Sequence, residues 1–377
     1  MYCRRIRERD KRCTSGHRTN ILATIIAGAA LVTTCVNGMN AQAPAAPRSY
    51  DNRLSPVANP QPLLADYPEF VEPVRETRRF EAPTLVQDSA ADLAVRAWRF
   101  SYNARGIVEL PNLLRGRDTA IIVVHPWGID DGQGWRSPQP AGAAFQCTPE
   151  KNLILNRHIA EVINPFLKSL RPRVGLVLYS LPGKEDPTRK KMYRSFRGEP
   201  SDGDRSQGAA QLAEKLASFD YRGGTLPTEL KLAADLPVPD YFRQFRGLDA
   251  TAAFNHEGFW DLPVPVSKHI DVAPRDVVIY DGEGYDPLRA FLKAQGIRHV
   301  LLTGYNTDMC FCKTTAGYDN LSPDFNVFLV GDATVATFPA NPDPRFATNA
   351  AISFASLDHL VTQVSWIRPL PAGQAQQ

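Results

Sequence analysis

Five short apolar runs, each closed by turn residues, recur from residue 119 onward and constrain the fold more than anything else in the chain. They are "TAIIVVHP" (119–126), "RVGLVLYSLP" (173–182), "RDVVIYDG" (275–282), "HVLLTGYN" (299–306) and "NVFLVGDA" (326–333). Val, Ile and Leu follow one another almost without interruption, as in strands buried on both faces, instead of alternating with polar residues. Amphipathic segments separate the runs. "EKNLILNRHIAEVINPFLKSL" sets Leu155, Ile159, Val162 and Ile163 on one side at helical spacing. "DPLRAFLKAQGI" reaches Gly296, a residue suited to a left-handed helix cap, and "PRFATNAAISFASLDHLVTQV" reads as a closing helix. Alternating strands and helices predict an α/β fold: a three-layer α-β-α sandwich around a mostly parallel central sheet.

In such a sheet, ligands sit at the carboxyl ends of the strands. Function is therefore expected where His125–Trp127, Ser180–Gly183, Asp281–Tyr285 and Asn306–Cys310 converge. The long interval 181–268 separates the second run from the third. It is rich in Gly, Arg and Asp and carries aromatics in "PDYFRQFRG" and "FNHEGFWDLP". A loop of this length in a compact domain reads as an insertion covering the site.

The remaining sequence frames this domain. A chain of 377 residues has room for one large domain or two ordinary ones. The net charge of +3 comes largely from the extreme N-terminus, so the body offers no electrostatic case for nucleic acid. Residues 1–43 run from a basic stretch through "ILATIIAGAALVTTCV" to small residues, the order of a signal peptide for export to the periplasm or beyond. An uncleaved anchor is the alternative, and either would be the only membrane association. Residues 44–62, rich in Pro and Ala, read as a disordered tether. Residues 63–118 read as an extension packing on the main domain, with "ARGIVELPN" as a short strand, and 119–377 as the main domain itself. Of six cysteines, Cys3, Cys13 and Cys35 fall in the leader. The odd number left, Cys147, Cys310 and Cys312, keeps at least one thiol unpaired within a monomer. A bridge from Cys147 and a chemically active thiol both stay open.

The stretch "LLTGYNTDMCFCKTT" places Cys310 where a strand and tight turn lead into a helix. Free N–H groups there favour a thiolate and can hold an oxyanion. Cys312, two residues further on, should point away; a redox Cys-x-Cys pair is a weaker use of the two. Gly304, Thr307, Asp308 and Cys310, with Asp332-Ala333 closing the next run, resemble the motifs of isochorismatase-like cysteine hydrolases. The similarity spans about 119–180 and 266–365. It implies Cys310 as nucleophile, a cis peptide between Tyr305 and Asn306, and the amides of Asn306 and Cys310 as oxyanion hole. It also implies a small-molecule substrate, either a small amide or the isochorismate vinyl ether, with no cofactor and with a homo-oligomeric assembly.

Two positions depart from that pattern. His125 stands where the family has its Asp base, and Asp281 stands where it has its Lys. The Asp-x-His run of metal-binding members is missing from "LYSLPGKEDP", so no metal is expected. One reading redistributes the roles: Cys310 attacks, His125 acts as base and Asp281 orients it, since a thiol, an imidazole and a carboxylate form a competent set. The other is a degenerate site that only binds. Trp127, Glu283, Tyr285 and Tyr305 are the candidate substrate contacts. Asp130 and Asp131 read as a turn, and His256 and His269 as lone histidines.

Overall fold

The computed structural model describes residues 47–101, 103–137, 149–221, 229–245, 261–307, 310–335 and 364–369. The expected signal peptide, Cys147, His256, Asp308 and the expected closing helix lie outside them. The chain divides into two units, Met1–Ser49 and Tyr50–Gln377, and all that follows concerns the second. Among the described residues no helix is long and apolar enough to cross a membrane.

Five short or mid-length strands come first: β1 (Ser55–Pro56), β2 (Arg79–Glu81), β3 (Val86–Gln87), β4 (Leu93–Ser101) and β5 (Gly106–Leu114). The main fold then opens with β6 (Thr119–Val124), followed by α1 (Pro149–His158), a π-helical turn (Ile159–Ile163) and α2 (Asn164–Leu170). Strand β7 (Leu176–Leu181) leads into the interval that carries α3 (Pro187–Met192), α4 (Asp202–Ser218) and α5 (Pro237–Phe245). The chain resumes with β8 (Val277–Tyr280), α6 (Tyr285–Ala294) and β9 (His299–Gly304). The single turns α7 (Cys310–Lys313) and α8 (Tyr318–Leu321), then β10 (Asn326–Thr334) and β11 (Val364–Pro369), complete it.

All strands join one sheet in the order β1-β2-β5-β4-β11-β10-β9-β6-β7-β8, with β3 also on β5. From β11 to β8 every neighbouring pair is parallel. This is the α/β three-layer arrangement, and burial explains why the apolar runs form its centre. Every residue of β6, β8 and β9 is buried, so both faces of these strands are covered, and the few polar side chains among them, such as His299 and Thr303, are hydrogen-bonded. Strands β4 and β5 instead alternate between buried and more exposed positions, and they pair antiparallel with each other and, through β4, with β11. Residues 63–118 thus do more than pack on the domain: they widen its sheet.

The expected tether is only partly a tether. Ser55 and Pro56 pair with Phe80 and Glu81, and the Gln61 carbonyl accepts a hydrogen bond from the buried Arg79 guanidinium. Backbone pairing, and not apolar burial, holds this stretch, which is why its composition reads as disorder. The 181–268 interval is anchored where it leaves and where it returns. Arg189, 5 % exposed, is ion-paired with Asp186 and reaches the carbonyls of Pro182, Lys184 and Val264, with Tyr280 under its guanidinium at 4.6 Å. The returning arm lies beside the end of β6: Gly128 N–H donates to Pro265 O and Ser267 N–H to Pro126 O.

At the end of β9 the sheet permits only glycine. Gly304 has φ +102° and lies so close to β6 that a Cβ would stand 2.2 Å from the Val124 carbonyl oxygen. Gly304→Ala is expected to destabilise the fold by at least about 2 kcal/mol, from backbone strain and overpacking together. Urea denaturation would check this; an unchanged midpoint would contradict the packing described here.

Candidate active site

Parallel pairing brings four strand ends to one edge of the sheet, in the spatial order β8, β7, β6, β9. Asp281 follows β8, Ser180 lies near the end of β7, His125 follows β6, and Tyr305, Asn306 and Cys310 follow β9. His125 and Asp281 are 156 positions apart and separated by a strand, yet the imidazole Nε2–H donates to Asp281 Oδ2 at 2.7 Å. The small Ser180 side chain bridges the gap: its hydroxyl donates to Asp281 Oδ1 at 3.1 Å, while its carbonyl accepts the His125 N–H at 2.9 Å. His125 takes a left-handed backbone, φ +49°, a conformation uncommon outside glycine.

The electrostatics favour an imidazolium. Burial by itself would lower the pKa of His125, which is 3 % exposed. The hydrogen bond to Asp281, and after it the interaction with Cys310, outweigh burial and raise it to about 10. Burial likewise works to raise Asp281, but hydrogen bonds from His125, Thr314 and Ser180 hold its carboxyl below the ordinary aspartate range. Trp127 stacks on the imidazole with ring centroids 5.4 Å apart and planes 23° apart, a face that suits a cation. The other ring nitrogen, Nδ1, is buried without a hydrogen-bond partner among the described residues.

Cys310 is a free, partly exposed thiol at the start of α7. The peptide between Tyr305 and Asn306 is cis. The Phe311 N–H donates to the Asn306 carbonyl at 3.1 Å, so the turn ahead of the thiol is closed onto the helical turn behind it. The helix itself is shorter than the sequence suggests. It stops after one turn because Gly317 folds back, with its N–H on Thr314 O, to a position where a Cβ would stand 2.7 Å from the Cys312 carbonyl. Cys312 is buried, consistent with a side chain turned away from the site.

Three candidate substrate contacts are committed elsewhere. Glu283 is ion-paired with Arg197 of the 181–268 interval. The Tyr285 hydroxyl donates to Asp324 Oδ2 at 3.0 Å, on the α6 side of the fold. Tyr305 is fully buried, with its hydroxyl on His158. In each case that partner is distant in sequence. Asp130 and Asp131 are turn residues, capping Ser137 and Gln133 respectively. Two contributors to the site were not singled out: Ser180, visible only as a member of a strand end, and Thr314, which no motif marks. Among the described residues no three His, Cys, Asp or Glu side chains cluster as metal ligands do.

Residues 273–357 match the family model of the isochorismatase domain. The matched segment, under a quarter of the chain, is similar to that family's domain; it holds Asp281 and Cys310, whereas His125 follows β6, outside it. Solved structures similar to this chain include an isochorismatase-like hydrolase from Alkaliphilus metalliredigens, at 14 % identity over 64 % of this chain and 91 % of that one, with a TM-score of 0.32. A pyrazinamidase of Pyrococcus horikoshii in complex with zinc is 15 % identical over 63 % and 95 %, with a TM-score of 0.31. A nicotinamidase from Staphylococcus aureus is 11 % identical over 66 % and 98 %, with a TM-score of 0.30. No curated protein matches.

The His125–Asp281 pair carries a pH signature. His125 is raised in the folded chain from an unfolded value near 6.5 to about 10. Its contribution to stability is therefore fully present below pH 6.5 and lost as pH rises through about 10. Stability measured by urea denaturation should decline across that interval, and Asp281→Asn should flatten the decline. A profile identical in both proteins would show that the two residues do not share this charge.

Proposed function

We propose that this protein is an exported hydrolase that cleaves a small amide or related C–N bond, with Cys310 as nucleophile, His125 as acid–base group and Asp281 as its orienting charge. The observation that carries this reading is the 2.7 Å His125–Asp281 hydrogen bond beside a free, partly exposed thiol. The family supplies the coarser statement, since isochorismatase-like hydrolases include enzymes named for amide substrates.

The chemistry closes with the groups present and one water. With His125 already holding the proton as imidazolium, the Cys310 sulfur forms a bond to the substrate carbonyl carbon while the carbonyl electron pair moves onto oxygen. The developing oxyanion is held by the backbone amides of Asn306 and Cys310. Collapse breaks the C–N bond, and the imidazolium gives its proton to the departing nitrogen. The neutral imidazole then takes a proton from water as the water oxygen attacks the thioester carbonyl. The C–S bond breaks, the acid leaves, the proton taken from water stays on His125 to restore the starting pair, and Asp281 stabilises the imidazolium in both halves.

Alkylation of Cys310 by iodoacetamide against pH, read by mass spectrometry, tests this before any substrate is known. The native thiol should be reactive, and His125→Ala should slow it and move its profile to higher pH. A thiol that is inert, or indifferent to His125, would leave a scaffold that binds without catalysing. In a screen of small amides, Cys310→Ala should then reduce turnover by roughly a thousandfold or more, as loss of a nucleophile does.

A further inference from the structure

We infer that His158, on the helix behind the site, is a positioning residue that fixes the Tyr305–Asn306 turn and with it the register of His125 and Cys310. The inference rests on the proposed Cys–His chemistry and adds to it a residue that touches neither substrate nor the reacting atoms.

His158 is completely buried and both of its ring nitrogens are bonded. Nε2 lies 2.9 Å from the Asp332 carbonyl, which can only accept, so Nε2 carries the proton. Nδ1 is then a lone pair and accepts the Tyr305 hydroxyl at 2.7 Å. This neutral tautomer satisfies both contacts and uses the hydroxyl proton of Tyr305 as well. Burial lowers this imidazole to about 4, so it stays neutral wherever the enzyme would work.

What His158 grips is next to the chemistry. The Tyr305 N–H donates to the Val124 carbonyl at 2.8 Å, and Val124 directly precedes His125. On its other side Tyr305 is joined to Asn306, whose carbonyl accepts the N–H of Phe311, the neighbour of Cys310. A tilt of the Tyr305 ring would therefore move both halves of the Cys–His pair. His158 is itself held on three sides. Phe70, from the N-terminal extension, meets its ring edge-on at 5.0 Å, the Tyr305 ring meets it at 5.6 Å, and the π-helical turn Ile159–Ile163 begins at the next residue. A π turn placed this way is common beside functional residues, because it re-aims a side chain within a helix.

The test compares Cys310 alkylation by iodoacetamide across pH in the native protein, Tyr305→Phe, His158→Leu, His158→Gln and His125→Ala. Tyr305→Phe keeps the ring and deletes only the hydroxyl, so it serves if His158→Leu fails to fold. We expect Tyr305→Phe and His158→Leu to slow alkylation at least tenfold and shift its pH profile toward that of His125→Ala. His158→Gln retains one donor and one acceptor and should recover most of the native rate. A merely structural role would lower the unfolding midpoint and leave the profile of the folded protein where it was. If Tyr305→Phe and His158→Leu keep the native rate and profile while His125→Ala does not, the positioning role is overturned and the Cys–His reading stands. If His125→Ala is also without effect, the Cys–His reading fails first and the positioning role with it.

Discussion

A positively charged imidazole buried at a strand end is expensive, because desolvation favours its neutral form by several kcal/mol unless a partner compensates. Here the compensation is Asp281, reached across an intervening strand, and much of the local architecture serves that one contact. Ser180 is small enough to let the two side chains meet above it; its hydroxyl bonds to Asp281 and its backbone carbonyl to the His125 N–H. Trp127 covers the imidazole face, and Thr315 donates its hydroxyl to the Asp281 carbonyl at 2.6 Å, tying the carboxylate's backbone to the segment that follows Cys310. Beside the pair, the insertion anchor Arg189 packs on Tyr280, the residue preceding Asp281.

Two buried histidines therefore lie near the same strand edge in opposite states. His125 faces a carboxylate and is pushed up to about 10; His158 faces a carbonyl and a phenol and is pushed down to about 4. Desolvation acts on both in the same direction, so the difference comes from the partners: hydrogen bonding and charge at Asp281 and Cys310 for one, a neutral carbonyl for the other. One is suited to carrying a proton through a reaction, the other to holding a fixed hydrogen-bond direction. Phe70 places the N-terminal extension against the second of them, so the added strands β1 to β5 belong to a segment that also touches the support of the site.

Set against the pattern that the sequence resembles, the charges at two strand ends have changed places. That pattern has an acid after the first main strand and a base after the third; this chain has His125 after β6 and Asp281 after β8. One cation and one anion remain beside the thiol, with their order along the sheet reversed. Because the two touch directly, the exchange preserves a neutral pair.

The sequence alone marked the five strands β6 to β10, their parallel direction and the set of strand ends that meet. Runs such as "AIIVV" and "HVLLTG" admit little but a strand buried on both faces, and parallel strands put their carboxyl ends on one side. It also marked Cys310, His125, Asp281 and the turn at Asn306. What it could not reveal were the partners. Glu283 turns to Arg197, Tyr285 to Asp324 and Tyr305 to His158, each through a contact between residues far apart in the chain. The pairing of Ser55 and Pro56 with β2 leaves no trace in side-chain composition, because it is made by the backbone. Periodicity reports which way a residue faces relative to its own element. Only tertiary structure decided which charge or hydroxyl it meets there, since that depends on distances between elements that no local pattern encodes.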